Sequence, residues 1–341
     1  MERTAQHLRR RGIEVDIRLS GDRIEYSDYD LMHFFNLIRP ADVLVHAENS
    51  GKPYVISTIF LDYGEFEKKN RTGWTSLFGR LFSADQVEYI KAIGRYLRNG
   101  EAIQSGKYLA WGHSRSIRYL IRHARILLPN SEHEYERLLS RYGVIQDYVV
   151  VPNAIDEDQF RSAWPPKLGS RDRLLCVGRI EQRKNQLNLI RAVKNSPYTL
   201  TVLGVASPNN EGYYRKCLAE ATPNIRFIGR LTEEDLFQLY GAARVHILAS
   251  HFETTGLASL EAAVMGCNVV ITGKGDTREY FGDLAYYCDP EDPSSIRAAI
   301  DQAYRSPYPE ALRHRILEKF TWEKAAERTE EAYLRALAKK C

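Results

Sequence analysis

Five short apolar runs in the second half of the chain set the first constraint on its fold. They are RLLCVG (173–178), YTLTVLG (198–204), NIRFIG (224–229), RVHILA (244–249) and CNVVIT (267–272), and the first three end on glycine. Many are rich in valine and isoleucine, and each is followed by a polar or amphipathic segment of helical length. Strands alternating with helices build a parallel, doubly wound sheet. In such sheets ligands bind beyond the carboxyl ends of the strands. The segments just after these runs are therefore where site residues are expected.

The first half repeats the theme less cleanly. IEVDIRL (13–19), ADVLVHA (41–47), PYVISTIF (53–60) and ARILLPN (124–130) read as strands. SEHEYERLLSRYG reads as a helix with Ser131 as N-cap, Glu134 completing a capping box and Gly143 at its end. DYVVVPNAID reads as a strand running into a turn. At 341 residues the chain exceeds one ordinary core. The Pro-Pro pair, Gly and Ser of EDQFRSAWPPKLGSRD place a domain boundary near 155–170. The tail TWEKAAERTEEAYLRALAKK is an amphipathic helix with Thr321 as candidate N-cap and lysines at its end. The expected division is a domain over 1–160, a second over 161–320 and a terminal helix over 321–341.

Composition narrows the class. With 44% hydrophobic and 27% charged residues the chain reads as a soluble globular protein. No apolar run approaches the roughly eighteen residues that a membrane span needs, and MERTAQHLRRRGIEVDI lacks the apolar centre of a signal peptide. Cys176, Cys217, Cys267, Cys288 and Cys341 form no metal-ligand spacing, so reduced thiols in a cytoplasmic protein are expected, with no metal. The net charge is only +4, but it is unevenly spread. Between Lys91 and Arg125 eight Lys and Arg stand against one acid, Glu101, with Tyr96, Tyr108, Trp111 and Tyr119 interleaved. Such a stretch suits peripheral contact with an anionic inner-membrane surface or a phosphate-bearing acceptor. It equally suits solvated helix faces over core aromatics. No nucleic-acid motif accompanies it, and no nucleic-acid partner is expected.

Two constellations carry chemistry. VGRIEQRKNQLNLIRAV puts Gly178, Arg179 and Lys184 just past a strand and before a helix. Glycine lets backbone approach a ligand, arginine offers a fork of donors, and lysine adds a compact charge. Two cations at the carboxyl edge of a parallel sheet suit a diphosphate. The spacing is neither a Walker loop nor the G-x-G-x-x-G fingerprint of dinucleotide binding, which argues against a dehydrogenase.

The second constellation is SHFETTGLASLEAAVMG. A helix is expected from near Thr255 to Gly266, with Glu253 in the loop before it and Glu261 about two turns along. Eight helical residues rise about 12 Å, well beyond the roughly 5–5.5 Å between the carboxylates of a retaining glycosidase. The two acids read as acceptors for separate hydroxyls of one long ligand. Amides at Thr254, Thr255, Gly256 and Leu257 would offer an anion site between them.

The ordered series GRI…KN (Gly178–Ile180, Lys184–Asn185), FIGRL (227–231), E-x7-E enclosing Gly256, and CNVVITGKG with Glu279 resembles the retaining nucleotide-sugar glycosyltransferases of family 4. VVPNAID (150–156) is similar to that family's interdomain motif, where glycine is commoner at position 154, and LLPNSEHEYERL to the segment before it. The resemblance covers about 130–320 well and the N-terminal part weakly. It implies the GT-B architecture of two Rossmann-like domains, with the last helix crossing back to the first. It implies that Arg179 and Lys184 bind and stabilise the donor diphosphate without a metal, that Glu253 contacts the sugar near the reacting centre, and that Glu261 takes the ribose hydroxyls. Gly178, Ile228, Gly229, Arg230 and Leu231 would border the donor, with the backbone from Phe227 onward near the base. The amides of Thr255, Gly256 and Leu257 would meet sugar and phosphate. The implied donor is a UDP- or GDP-sugar, no further cofactor is needed, and the acceptor is a hydroxyl of a glycan or lipid-linked glycan in bacterial surface polysaccharide or glycolipid assembly.

The chain departs from the family pattern in two places. It opens at what corresponds to the first helix, so the usual first strand and glycine-rich loop are not found. That departure motivates the alternative of a sugar-nucleotide-binding protein with impaired or no catalysis. Leu61 stands where a histidine is expected before Asp62. Asp62, Glu65 and His113 are the acceptor-side candidates, and His123 is a further possible contact.

Overall fold

The computed structural model describes residues 1–60, 83–99, 103, 105–163 and 171–339. The chain divides into two compact units, Met1–Pro152 joined with Glu323–Cys341, and Asn153–Trp322.

The first unit holds a parallel sheet in the order β1 (Met32–Phe35), β2 (Tyr54–Ser57), β3 (Ile126–Leu128). Side chains alternate across it, as the pleat requires. Tyr54, Ile56 and Leu127 point into a core with Leu44, Leu120 and Ile121. Val55, Ile126 and Leu128 point to the other face, where Ala332 and Ala336 of the C-terminal helix Trp322–Ala338 cover them. Burial on both faces explains why β2 and β3 read as unbroken apolar runs. The segment at 148–151 runs beside β3, with the Val149 amide donating to Leu127 and Val151 to Pro129.

Two expected strands are corrected here. ADVLVHA is not a strand but most of the helix Pro40–Asn49. Pro40 stands in its first turn, where a fixed φ and a missing N–H cost nothing, and Val43 and Leu44 are buried on one side. A short apolar run does not by itself distinguish helix from strand. IEVDIRL forms no strand either. It pairs with no ladder partner among the described residues, and Ile17 and Leu19 are exposed. The Ser131-capped helix is present over Glu132–Tyr142, closed by Gly143 at φ 64°. Glu134, however, is fully buried and does more than cap. Its carboxylate accepts from the Thr58 hydroxyl and from the amides of Phe60 and Asn130, which ties the end of β2 to the helix start.

The second unit is a six-stranded, all-parallel sheet ordered β6-β5-β4-β7-β8-β9. The strands are β4 (Arg173–Val177), β5 (Leu200–Leu203), β6 (Ile225–Ile228), β7 (Ala243–Leu248), β8 (Asn268–Thr272) and β9 (Tyr286–Cys288). All five apolar runs of the second half are strands, and the doubly wound α/β fold is as expected. Helices cover both faces. Leu174, Cys176, Val245, Ile247 and Val270 pack on one side, and Leu175, Leu248, Val269 and Ile271 on the other. The first strand in chain order, β4, lies beside the fourth, β7, and the connections leave in opposite directions from that pair. This is the topological switch point, where a crevice opens at the carboxyl ends of the strands.

Candidate functional site

The segments that leave β4 and β7 at the switch point carry the residues singled out above. Gly178 follows β4 directly, at φ +155°, and its amide donates to Leu203 at the end of β5. Gly204, at φ +153°, lies so close that an added Cβ would sit 1.9 Å from the Gly178 carbonyl oxygen. The loops after β4 and β5 thus touch backbone to backbone, and only glycine permits it. Ile180 extends the contact by exchanging bonds with Val205 and Ser207. Arg179, between them, is 66% exposed at its side chain, with Nε 4.0 Å from Glu181.

Beyond Ile180 a single 3-10 turn, Gln182–Lys184, ends at Asn185, which is left-handed at φ 58°. Asn185 donates to the carbonyls of Ala249 and Pro290, fastening this turn to the segments after β7 and β9. The turn delivers Lys184 to Glu253. Their charged atoms lie 2.6 Å apart, and the side chains are 14% and 8% exposed. Ser250 donates to the same carboxylate oxygen from 3.1 Å. Glu253 lies in the loop after β7, and its backbone is fixed from the other side. Its amide donates to Lys274, its carbonyl accepts from Asp276, and a Cβ on Gly275 would fall 2.1 Å from that carbonyl oxygen. The GKG of the sequence is therefore the seat of Glu253.

The following helix spans Leu257–Val264, two residues shorter at its start than expected. Gly256 takes φ +72°, a turn residue that the helix does not extend past, and a Cβ there would press on Ile271 at 2.9 Å. No side chain caps this helix. The amides of Thr254, Thr255, Gly256 and Leu257 have no acceptor among the described residues. The Thr255 hydroxyl is occupied, accepting from Asn153 at 2.8 Å. Glu261 is not on an exposed side. Burial raises the pKa of its carboxyl, the Tyr240 hydroxyl donating from 2.8 Å opposes this, and Glu233 adds like charge.

Four groups of this region are not singled out from the sequence. Buried Glu181 accepts from Ser207 and pairs with Arg183 at 2.7 Å. Burial works to raise its pKa, but the Ser207 bond and the two arginines win and hold it below the ordinary carboxyl value. His246 on β7 receives the Val177 amide on Nε2, so its proton sits on Nδ1 and is donated to Ser259. Complete burial, with Lys184 adding to it, lowers its pKa to about 3, and the ring stays neutral. Asn153 and Tyr240 hold Thr255 and Glu261.

Ile228, Gly229, Arg230 and Leu231 lie at the end of β6, and the last three are exposed. Asp62 and Glu65 lie outside the described residues. His113 belongs to the first unit and is buried beside a kink at Gly112, bonded to the Tyr108 hydroxyl at 3.2 Å. Burial lowers its pKa against the opposing pull of Asp85 and Glu88. His123 is exposed and bonds the Tyr119 carbonyl of its own helix.

Residues 158–320, nearly the whole second unit, match the family model of "Glycosyl transferases group 1". The match falls on the unit that carries the switch-point residues. Glycogen synthase of Mycobacterium tuberculosis is 27% identical over 260 residues, covering 69% of this chain and 62% of that protein. O-antigen chain mannosyltransferase B of Escherichia coli is 31% identical over 172 residues, covering 47% of this chain and 45% of that one. The chain thus spans less than two thirds of the length of these relatives. In fold it is similar to sucrose-phosphate synthase of Thermosynechococcus elongatus, with a TM-score of 0.69 and 16% identity over 91% of this chain and 74% of that one. It is likewise similar to Anabaena HepE in complex with UDP and glucose, with a TM-score of 0.64 and 16% identity over 90% and 78% of the two chains. The fold is the GT-B class to which these glycosyltransferases belong. In the second unit, the candidate site residues come from the two loops that the strand order sets side by side.

Proposed function

We propose that the chain is a retaining glycosyltransferase that moves a hexosyl group from a nucleoside-diphosphate sugar to a hydroxyl of a glycan or lipid-linked acceptor. The observation that carries this reading is the cluster at the switch point. Lys184 and Arg179 follow the carboxyl end of β4, Lys184 lies 2.6 Å from Glu253 after β7, and a run of unengaged amides precedes the Leu257–Val264 helix. An anion is stabilised at such a helix start by N–H groups that are otherwise unsatisfied. Two cations beside it suit a diphosphate whose negative charge grows as the sugar departs. In this role the two side chains supply the charge, and no metal is needed. Lys184 leaves part of its pairing with Glu253 to meet the phosphate, which frees that carboxylate for the sugar. Glu261, already holding the Tyr240 hydroxyl on one oxygen, offers the other to the ribose. Ile228 to Leu231 border the base, a uracil or guanine. Attack and departure on one face of the sugar would retain its configuration, the leaving phosphate taking the acceptor's proton.

We place this activity on the cytoplasmic side of the cell, in assembly of surface polysaccharide or glycolipid. The similarity to an O-antigen mannosyltransferase supports that setting. Among the described residues no helix is long and apolar enough to cross a membrane. The test is incubation with UDP- and GDP-sugars and candidate acceptors, following released nucleotide and product anomer, with and without chelator. Transfer with retention that persists in chelator is expected. Nucleotide binding without transfer or donor hydrolysis would instead identify a non-catalytic sugar-nucleotide-binding protein, and inversion or loss in chelator would overturn the mechanism.

A further inference from the structure

Two helices of the first unit carry exposed aliphatic and basic side chains to which the sugar-transfer reading assigns no role. The helix Ala84–Asn99 sets Tyr89 and Ala92 against the core around Tyr108 and Leu120. Ile90 and Leu97 stand seven residues apart, about 20° from each other around the helix, and away from that core. They are 44% and 76% exposed. Lys91 and Arg98 repeat the same seven-residue step along the neighbouring flank and are exposed as well. The Tyr89 hydroxyl donates to the Leu109 carbonyl at 2.7 Å, which lays the start of the next helix, Gly106–His123, alongside. Leu109 is itself 47% exposed.

The second helix then turns cations outward. Arg115, Arg118 and Arg122 are exposed. Trp111 lies under two charges, with Lys107 at 5.4 Å and Arg115 at 5.0 Å from its ring centre. Acids balance part of this surface: Glu48 pairs with Lys107 at 2.6 Å and Glu88 with Lys91 at 2.7 Å, while Asp85 is committed to Arg141 at 2.7 Å. Arg98, Arg115, Arg118 and Arg122 have no acidic partner among the described residues. Large aliphatic side chains on the watery side of a helix, flanked by lysine and arginine, are the composition of a helix that lies in a lipid interface. Its aliphatics enter the acyl boundary, its cations meet anionic headgroups, and tryptophan and tyrosine sit at headgroup depth.

We propose that the Ile90/Leu97 edge of the Ala84–Asn99 helix, with its basic flank and the neighbouring Gly106–His123 helix, docks on an anionic lipid bilayer. This goes beyond the sugar-transfer reading and stands or falls separately from it. Two lone aliphatics among long, flexible cations suit a fluid surface that moulds to them, and the charge complements anionic headgroups.

The test is cosedimentation of the full chain with vesicles of phosphatidylcholine alone and of phosphatidylcholine mixed with phosphatidylglycerol. Partition into the anionic vesicles only, weakening with added salt, is expected. Leu97→Glu should lower that partition at least about tenfold, and Arg98→Glu about fivefold or more. Both positions are exposed, so the unfolding midpoint should stay put. The proposal is overturned if the chain ignores anionic vesicles, binds neutral ones equally, or binds them unchanged as Leu97→Glu. A Leu97→Glu variant that loses self-association in solution but keeps its vesicle binding would assign the face to a protein contact and also overturn it.

Discussion

The 2.6 Å pair of Lys184 and Glu253 makes a quantitative prediction that separates stability from ligand binding. Glu253→Gln leaves a nearly buried ammonium facing a neutral amide. Removing one partner of a buried pair costs about 3–5 kcal/mol. Here Ser250 remains and the pair borders a crevice, so the low end, about 3 kcal/mol, applies. For a domain of this size that lowers the unfolding midpoint by roughly 6–12 °C. Lys184→Met should cost a similar amount, because Glu253 keeps only Ser250. The double variant should recover part of the loss, with a coupling of about 1–3 kcal/mol. Nucleotide binding should then split the two single variants. If the diphosphate binds as proposed, it competes with Glu253 for Lys184 in the wild type. In Glu253→Gln that competitor is gone, so UDP or GDP should bind at least as tightly and raise the midpoint by more than in the wild type. In Lys184→Met the diphosphate loses its cation, and affinity should fall about tenfold, close to 1.4 kcal/mol. Transfer should be nearly abolished in Glu253→Gln despite its retained affinity. Calorimetric titration and thermal unfolding of the three variants decide the matter. Coupling below about 0.5 kcal/mol, or a loss of nucleotide affinity in Glu253→Gln equal to that in Lys184→Met, would refute the reasoning.

Gly204→Ala should destabilise the second unit by about 3 kcal/mol or more, since it adds a 1.9 Å backbone clash to a positive φ; urea midpoints measure it, and a change under about 1 kcal/mol would mean the loops separate freely. His246 predicts an acid sensitivity. Its folded pKa lies near 3 against an ordinary 6.5, so the folded state resists protonation and the stability it contributes is present above pH 6.5 and lost as pH falls toward 3. About 2 kcal/mol should be gone by pH 5, and His246→Gln should flatten that part of the stability profile; an unchanged slope would show that the ring is hydrated or charged in the fold.

Much of the second unit was legible because its strands are buried on both faces and so announce themselves as apolar runs. Their alternation with helices gave the fold class, whereas the left-handed turn at Gly256 reads in the sequence as the first turn of the helix. The first unit was harder. β1 is only half buried and carries His33 among its aromatics, so MHFF gave no strand signal. Val43 and Leu44 fit either period until Pro40 and the packing decide it. In the site, the positions of Lys184 and Glu253 after their strands were readable, but not their mutual contact. They are 69 residues apart in sequence, and only the strand order puts β4 beside β7. Glu181 and His246 were invisible for a related reason. A single acid or histidine gains meaning from what surrounds it, and Ser207, Arg183, Val177 and Ser259 reach them from other elements.

The alanines that let the C-terminal helix settle on Val55, Ile126 and Leu128 have a consequence for the newly made chain. The first unit is interrupted by the whole of the second and is completed only by Glu323–Cys341. At ribosomal speed the intervening segment takes roughly 10–35 s to emerge. For that interval the early sheet stands with one greasy side bare, while the later, uninterrupted unit has every piece it needs. Order of synthesis and order of completion are therefore reversed: what is made first is finished last.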